Sequence, residues 1–414
     1  MVVLERSLAA PRSRLLATDR HGQVVLFFCY LSLLGGKFSL DRIIPSAPPF
    51  DLRWLALLAA GWTAWMWLGV AGRRMRSAVS MGVARLWFVA WAGWLAISVV
   101  WVRPLARTET YLTDLWFLVV LTALTWMIAT RLSRSTLSVV WDWAYWTGLI
   151  YFAGAIASAP DIQGRYSAFG GGPNVFVRVM LVAALAALYL TAKRGRRAFL
   201  LALPIFMVGA VLSGSRGGLL AFGAACLLGA WPMLRHLRKS AIVTLGIGLA
   251  VIVSGALYFA RGLVSTTLAQ RYFDQTFSAR YDSGRSEIFS QSMDLWGENF
   301  WVGAGVDGYW ATIGHIVGYE YPHNLLAATA AEGGFVGLSL LTASLFTFWG
   351  SSRVVRPRAP ETSFYWYAAV FALVAGTFSG DYYDSRLMWM FMGFAAIEGR
   401  REMMKGSAPS SVDT

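Results

Sequence analysis

The chain has 414 residues, 57% of them hydrophobic and only 14% charged, with a net charge of +14. A soluble domain typically carries about 25% charged residues, and no water-soluble fold of this length hides so much apolar surface, because much of any chain faces its solvent. Lipid is the alternative solvent, and in that setting the positive charge marks loops and orientation rather than a nucleic-acid partner.

Residues 1–20 are polar and basic and lack the apolar core of a cleavable signal peptide, so the first span is expected to be retained. A bilayer core of roughly 30 Å needs about 20 apolar residues per helix. Such runs lie at 23–40, 53–70, 84–102, 112–129, 138–157, 174–192, 198–213, 217–234, 241–260, 334–350, 364–380 and 386–399. Lys37 interrupts the first run, and the last is short. The expected fold is an all-α polytopic membrane protein of twelve transmembrane helices. Residues 1–414 form one membrane domain, with both termini cytoplasmic. Basic residues support this orientation. Arg6, Arg12, Arg14 and Arg20, then Arg73, Arg74, Arg76 and Arg85, then Arg131 and Arg134, then Lys193, Arg194, Arg196 and Arg197, then Arg235, Arg238 and Lys239, then Arg353, Arg356 and Arg358, then Arg400, Arg401 and Lys405 fall in alternate connecting segments. Cys29 and Cys226 both sit in apolar runs, so neither a disulfide nor a metal cluster is expected.

The connections assigned to the outer side are short until residues 261–333, one long segment holding Arg271, Arg280, Asp282, Arg285, Asp307, His315 and His323. Long ordered loops are usually functional. Within it Phe289, Met293, Trp296 and Phe300 recur at helical spacing, predicting an amphipathic helix that lies on the membrane surface or packs on the spans.

Four outer clusters carry polar chemistry. Gly164-Arg165-Tyr166 through Pro173-Asn174 reads as a flexible loop with a helix start, or as a loop that brings Arg165 to an anionic substrate. Ser213-Gly214-Ser215-Arg216-Gly217-Gly218 is a tight turn into a span. Its free amides and Arg216 suit an anion, against the alternative of a snorkelling arginine. Ser283-Gly284-Arg285-Ser286 opens the amphipathic helix with a cation where the dipole disfavours one. It is either a solvated arginine or half of an anion site. Tyr321-Pro322-His323-Asn324, followed by Glu332-Gly333-Gly334, offers a histidine able to take a proton from a hydroxyl, or a hydrogen-bonded interfacial one.

Other patterns lead elsewhere. Gly303-Ala304-Gly305-Val306-Asp307-Gly308 lacks the βαβ context of a dinucleotide loop. Asp381 and Asp384 read as a solvated loop pair, with cation binding as the alternative, and His323 lacks a zinc ligand set. Several arginines and one histidine without a metal set suit a lipid-borne phosphate or diphosphate, with no cofactor required.

The order Arg165…Pro173-Asn174, Ser215-Arg216-Gly217, Arg285, Gly303-Ala304-Gly305, Pro322-His323-Asn324 and Glu332-Gly333 resembles the O-antigen ligase family. That superfamily also holds O-antigen polymerases and protein O-oligosaccharyltransferases. The resemblance covers residues 160–345. It implies a glycosyltransferase of the membrane-embedded C type in the cytoplasmic (inner) membrane, with its site facing the periplasm. The donor would be a glycan on undecaprenyl diphosphate and the acceptor a lipid A-core or a growing glycan. Transfer would be metal-independent and inverting. By motif His323 activates the acceptor hydroxyl, and Arg216 and Arg285 bind the diphosphate, joined by Arg165. Asn324, Tyr321, Asn174 and Glu332 support them. Arg178 belongs to no motif and is expected to snorkel or to join the site. Polymerase is the alternative within the family. A transporter or flippase for an anionic lipid-linked glycan is the alternative of another class, disfavoured by spans nearly free of charge.

Overall fold

The computed structural model describes residues 19–34, 39–44, 46–71, 81–234, 284–352 and 360–406, with a few positions between 239 and 247. The stretch 1–18, nearly all of the ninth expected span at 241–260, and residues 261–283 with Arg271, Arg280 and Asp282 lie outside the described residues. Among the described residues the chain is helical and contains no strand, only an isolated bridge between Ser39 and Asp51.

Apolar segments in lipid must satisfy their backbone internally, and a helix does so within one segment. The main helices are α1 (19–34), α2 (Arg53–Ala71), α3 (Val83–Ile97), α4 (Thr108–Ala129), α5 (Val139–Ala157), α6 (Gly172–Arg194), α7 (Leu203–Leu212), α8 (Arg216–Leu234), α9 (Arg285–Glu298), α10 (Leu325–Ser352), α11 (Pro360–Phe378) and α12 (Arg386–Gly406). Local signals set several ends. Pro173 sits in the first turn of α6, and Gly195 at a φ of 66° stops it. Among the described residues four stretches are long and apolar enough to cross a membrane: Val83–Val100, Thr108–Ala129, Gly172–Arg194 and Leu325–Ser352. Every other expected span except the ninth overlaps a helix.

Two sequence expectations need correction here. The tenth run was expected to begin at 334, yet residues 325–333 are already helical, and α10 continues beyond a break at Gly334 with φ 65° and ψ −165°. Glu332 is therefore a buried helix residue and not part of an open loop. The seventh run, 198–213, is divided between 3-10 turns at Arg197–Ala202 and α7.

From α1 to α8, and again from α10 to α12, the helices alternate in direction. At one end of the bundle Arg134 pairs with Glu398 at 2.5 Å, Arg401 pairs with the same carboxylate, Lys193 pairs with Glu361, and Arg194 pairs with Asp142 at 2.8 Å. Glu398 is fully buried, and a buried charge persists only when paired. These basic residues are among those assigned above to the cytoplasm. At the other end lie the start of α4, the starts of α6, α8, α10 and α12, and the end of α11. Aromatic packing backs the ion-paired end, where Trp141 stacks on Tyr365 and Phe391 with centroids 5.2 and 5.6 Å apart.

Candidate functional site

All four polar clusters lie at the second end. They are built on a rigid floor made where α10 breaks. The loop Gly303-Ala304-Gly305 runs against residues 331–334. Ala304 N donates to Ala331 O at 2.9 Å and Gly305 N to Glu332 O at 3.0 Å. Beyond the break, Phe335 N donates to Phe300 O at 2.8 Å and Val336 N to Trp301 O at 3.2 Å. The helix thus exchanges internal bonds for bonds to the loop, which keeps its buried backbone satisfied. The glycines are required by this approach. A Cβ on Gly303 would overlap the backbone of Glu332, and one on Gly334 would overlap the backbone of Trp301 and Gly303. Indole N–H groups close the joint, Trp94 onto Gly333 O at 2.7 Å and Trp101 onto Gly303 O at 3.1 Å. Glu332 is 2% exposed and accepts from the Tyr382 hydroxyl at 2.8 Å and from Tyr309 N at 3.3 Å. The Gly-rich segment is therefore a backbone joint, consistent with its rejection as a nucleotide loop.

Asn174 organises the neighbouring wall. Its amide donates to Ser379 Oγ at 2.6 Å, and its carbonyl oxygen accepts from Ser215 Oγ at 2.9 Å and from Arg165 Nη2 at 3.4 Å. Arg165 Nε donates to Ser213 O at 3.1 Å. The Arg165 loop and the 213–218 turn are therefore one unit, and Arg165 grips it. Arg216 is the first residue of α8, half-buried.

Arg178, expected to snorkel or to join the site, is 4% exposed and turned inward. It donates to Ser379 O, to Ala375 O at 3.4 Å and to Asp384 O at 3.3 Å, and its nearest carboxylate contact is Asp384 at 3.7 Å. Asp384 in turn holds Arg386 at 2.8 Å, and Arg386 is 1% exposed. The reading of Asp381 and Asp384 as a solvated pair is corrected: Asp384 is a half-buried counter-ion shared by two arginines. Arg386 and Arg53 also flank Tyr383, with guanidinium carbons 4.8 and 4.6 Å from its ring centroid.

Arg107 was absent from the sequence reading. It donates to both oxygens of buried Asp307, at 3.1 and 3.0 Å, and to Glu320 O at 3.0 Å. Its guanidinium lies over the Trp310 ring at 4.1 Å. It ties the α3–α4 connection to the loop that carries His323. No local motif marks this pair, because its members are 200 residues apart.

Arg216, Arg285 and His323 lie at the same end of the bundle as this frame. Arg285 opens α9, and its Nη1 lies 3.0 Å from where a Cβ on Gly217 would sit. Gly217 follows Arg216, so the two arginines expected at a diphosphate begin adjacent helices. His323 adopts a φ of 55°, a left-handed backbone uncommon outside glycine and often stored at functional sites. Its ring lies against Tyr321 with centroids 4.2 Å apart. Burial, and then the positive charge of Arg285, hold its imidazole below the ordinary histidine range, against the opposing pull of Asp384 and Glu320. It is neutral at pH 7 and able to accept a proton. Burial and the charges of Asp384 and Asp381 raise the Tyr321 phenol, which stays a neutral donor. Asn324 caps α10, its side-chain oxygen accepting from Leu326 N at 2.9 Å and Ala327 N at 3.2 Å. His315 is exposed and bonded to Trp310 O at 2.8 Å, away from this group of residues in its contacts.

The amphipathic helix α9 has two distinct apolar faces. Ile288, Ser292 and Leu295 face the protein, against Tyr309 and Ala331. Phe289, Met293, Trp296 and Phe300 form a separate, outward stripe.

No group of three or more histidine, cysteine or acidic side chains able to hold a metal occurs among the described residues. Residues 198–342 match the family model Wzy_C, described as O-antigen ligase. The matched stretch includes Arg216, Arg285, Gly303 to Gly305, His323 and Glu332. Arg165, Asn174 and Asp384 lie outside it. No curated protein matches the chain.

Proposed function

We propose that this chain, which belongs with the O-antigen ligase family through residues 198–342, moves a glycan from undecaprenyl diphosphate to an acceptor hydroxyl. The reaction would take place at the outer face of the cytoplasmic membrane, and the acceptor would be a lipid A-core. Twelve spans with both termini inside complete the reading. It is supported by the alternation of the described helices and by α1 beginning and α12 ending at the end opposite the site.

The observation that carries the proposal is Arg285, placed against Gly217 on one side and acting electrostatically on neutral His323 on the other. In the reaction His323 takes the proton of the acceptor hydroxyl as its oxygen bonds to the anomeric carbon. The bond from that carbon to the diphosphate oxygen breaks, and the electron pair leaves with the lipid diphosphate. Arg216 and Arg285 meet the departing charge, which a water-poor site makes most effective. Single displacement inverts the anomeric centre. No metal is needed, because fixed guanidinium groups replace it. Tyr321 and Asn324 hold the His323 loop, while Arg165, Asn174 and Glu332 hold the walls.

The test is transfer by purified protein from undecaprenyl-diphosphate-linked glycan to candidate acceptors in the presence of chelator. Wild type should transfer, whereas His323→Ala should lose about 10²–10⁴-fold. Arg216→Ala should weaken both donor binding and turnover. Use of a glycan repeat in place of lipid A-core as acceptor would make the enzyme a polymerase. Translocation of the lipid-linked glycan without transfer would overturn the enzymatic reading in favour of a transporter.

A further inference from the structure

The outward stripe of α9 and of the turn that follows it is apolar and large. Phe289, Phe300, Trp301 and Val302 are between 42% and 65% exposed. Trp296 stacks on Phe300 with centroids 5.4 Å apart, and Phe300 stacks on Phe335 at 5.7 Å, both nearly parallel. The one polar atom of this stack is already used, since the Trp296 indole N–H donates to Phe300 O at 3.1 Å.

Its position indicates what covers it. Phe335 belongs to α10, a helix long and apolar enough to cross a membrane. Along α10 the outward line continues through exposed Ser339, Phe346 and Trp349 at helical spacing. The stack thus extends the lipid-facing line of a spanning helix onto α9. On α9 the exposed acids Glu287, Asp294 and Glu298 lie roughly opposite the aromatics around the axis. Aromatic rings below and carboxylates above are the pattern of a helix lying in a bilayer interface.

We propose that α9 lies in the headgroup boundary of the leaflet beside α10, with Phe289, Trp296, Phe300 and Trp301 immersed in lipid. The immersion fixes the height of Arg285, at the N-terminal end of the same helix. The inference concerns the surface alone and stands whether or not the chain transfers glycans.

The unsubstituted protein tests it. The chain is reconstituted in vesicles of phosphatidylethanolamine and phosphatidylglycerol doped with a lipid carrying a diazirine on its acyl chain. After illumination, labelled residues are mapped by mass spectrometry. Phe346 and Trp349 on α10 report lipid contact within the same sample. The expected result is labelling of the α9 aromatics at least about tenfold above that of Glu287, Asp294 and Glu298. Labelled Phe346 and Trp349 beside an unlabelled α9 stripe would overturn the proposal and leave a protein partner as the cover.

Discussion

Arg285 and Gly217 are in direct contact, with Nη1 of the arginine 3.0 Å from the point a glycine Cβ would occupy. The contact joins the first turns of α8 and α9, which come from opposite sides of the long segment that separates them in sequence. On the proposed reading, it is through this contact that two motifs without a shared element would act on one anion.

Gly217→Ala is the direct probe of this contact. The added methyl would meet Arg285 Nη1 at 3.0 Å and Phe378 Cβ at 2.8 Å. One of them must shift, at a cost of about 1–3 kcal/mol. Transfer should fall by roughly 10²-fold, as displaced catalytic groups typically cause. A normal melting temperature with full transfer would show that the arginine is not confined there.

In the proposed mechanism His323 sets the pH dependence. Its lowered pKa means that the neutral, proton-accepting form already predominates at the usual histidine midpoint. Activity should be flat through pH 7 and decline only as pH falls below about 6.5. Arg285→Gln removes a positive charge that favours the neutral ring, so the acid limb should move to higher pH. A pH–rate profile of the residual activity measures that shift. The same sign applies to stability. The unfolded histidine binds a proton below its ordinary pKa while the folded one resists it, so protonation costs stability as pH falls through that range.

Gly303→Ala should be strongly destabilising. The glycine adopts a φ of 74° and packs against the backbone of Glu332. Positive φ and overlap each cost about 1–3 kcal/mol. Gly297→Ala is the matched control, because nothing lies within 4 Å of its Cβ position inside α9. Thermal unfolding in detergent should separate the two, with the control unchanged or up to about 1 kcal/mol more stable.

Asp384→Asn should loosen the core more than a loop carboxylate would. It weakens the partner of Arg386 and of Arg178, both nearly fully buried. The expected cost is roughly 2–4 kcal/mol, since a buried cation loses its counter-ion. A double-mutant cycle with Arg386→Met should return a coupling of about 0.5–3 kcal/mol. Additive effects would show that the two do not interact.

Membrane residence and the helical class were legible in the composition, because apolar runs of bilayer length have few alternatives to a helix in lipid. A resemblance to the O-antigen ligase family was legible in the order of Arg216, Arg285, His323 and Glu332, and the stretch that matches that family's model contains them. Local signals also placed helix starts, as at Pro173 and Asn174. What the chain alone left open were the choices made between distant segments. Which face of α9 turns inward depended on Tyr309 and Ala331, not on the stronger aromatic periodicity. Arg178 reads as a stray charge until Ser379 and Asp384 come to meet it. Arg107 and Asp307 carry no motif and recognise each other only when the α3–α4 connection meets the loop ahead of α10. The glycines of 303–305 and 333–334 look like a nucleotide loop or a hinge in isolation. Only packing shows that they let two backbones touch. Periodicity and motifs record what one segment needs of its solvent. Ion pairs and close backbone approach record what two segments need of each other, and that was decided by the tertiary structure.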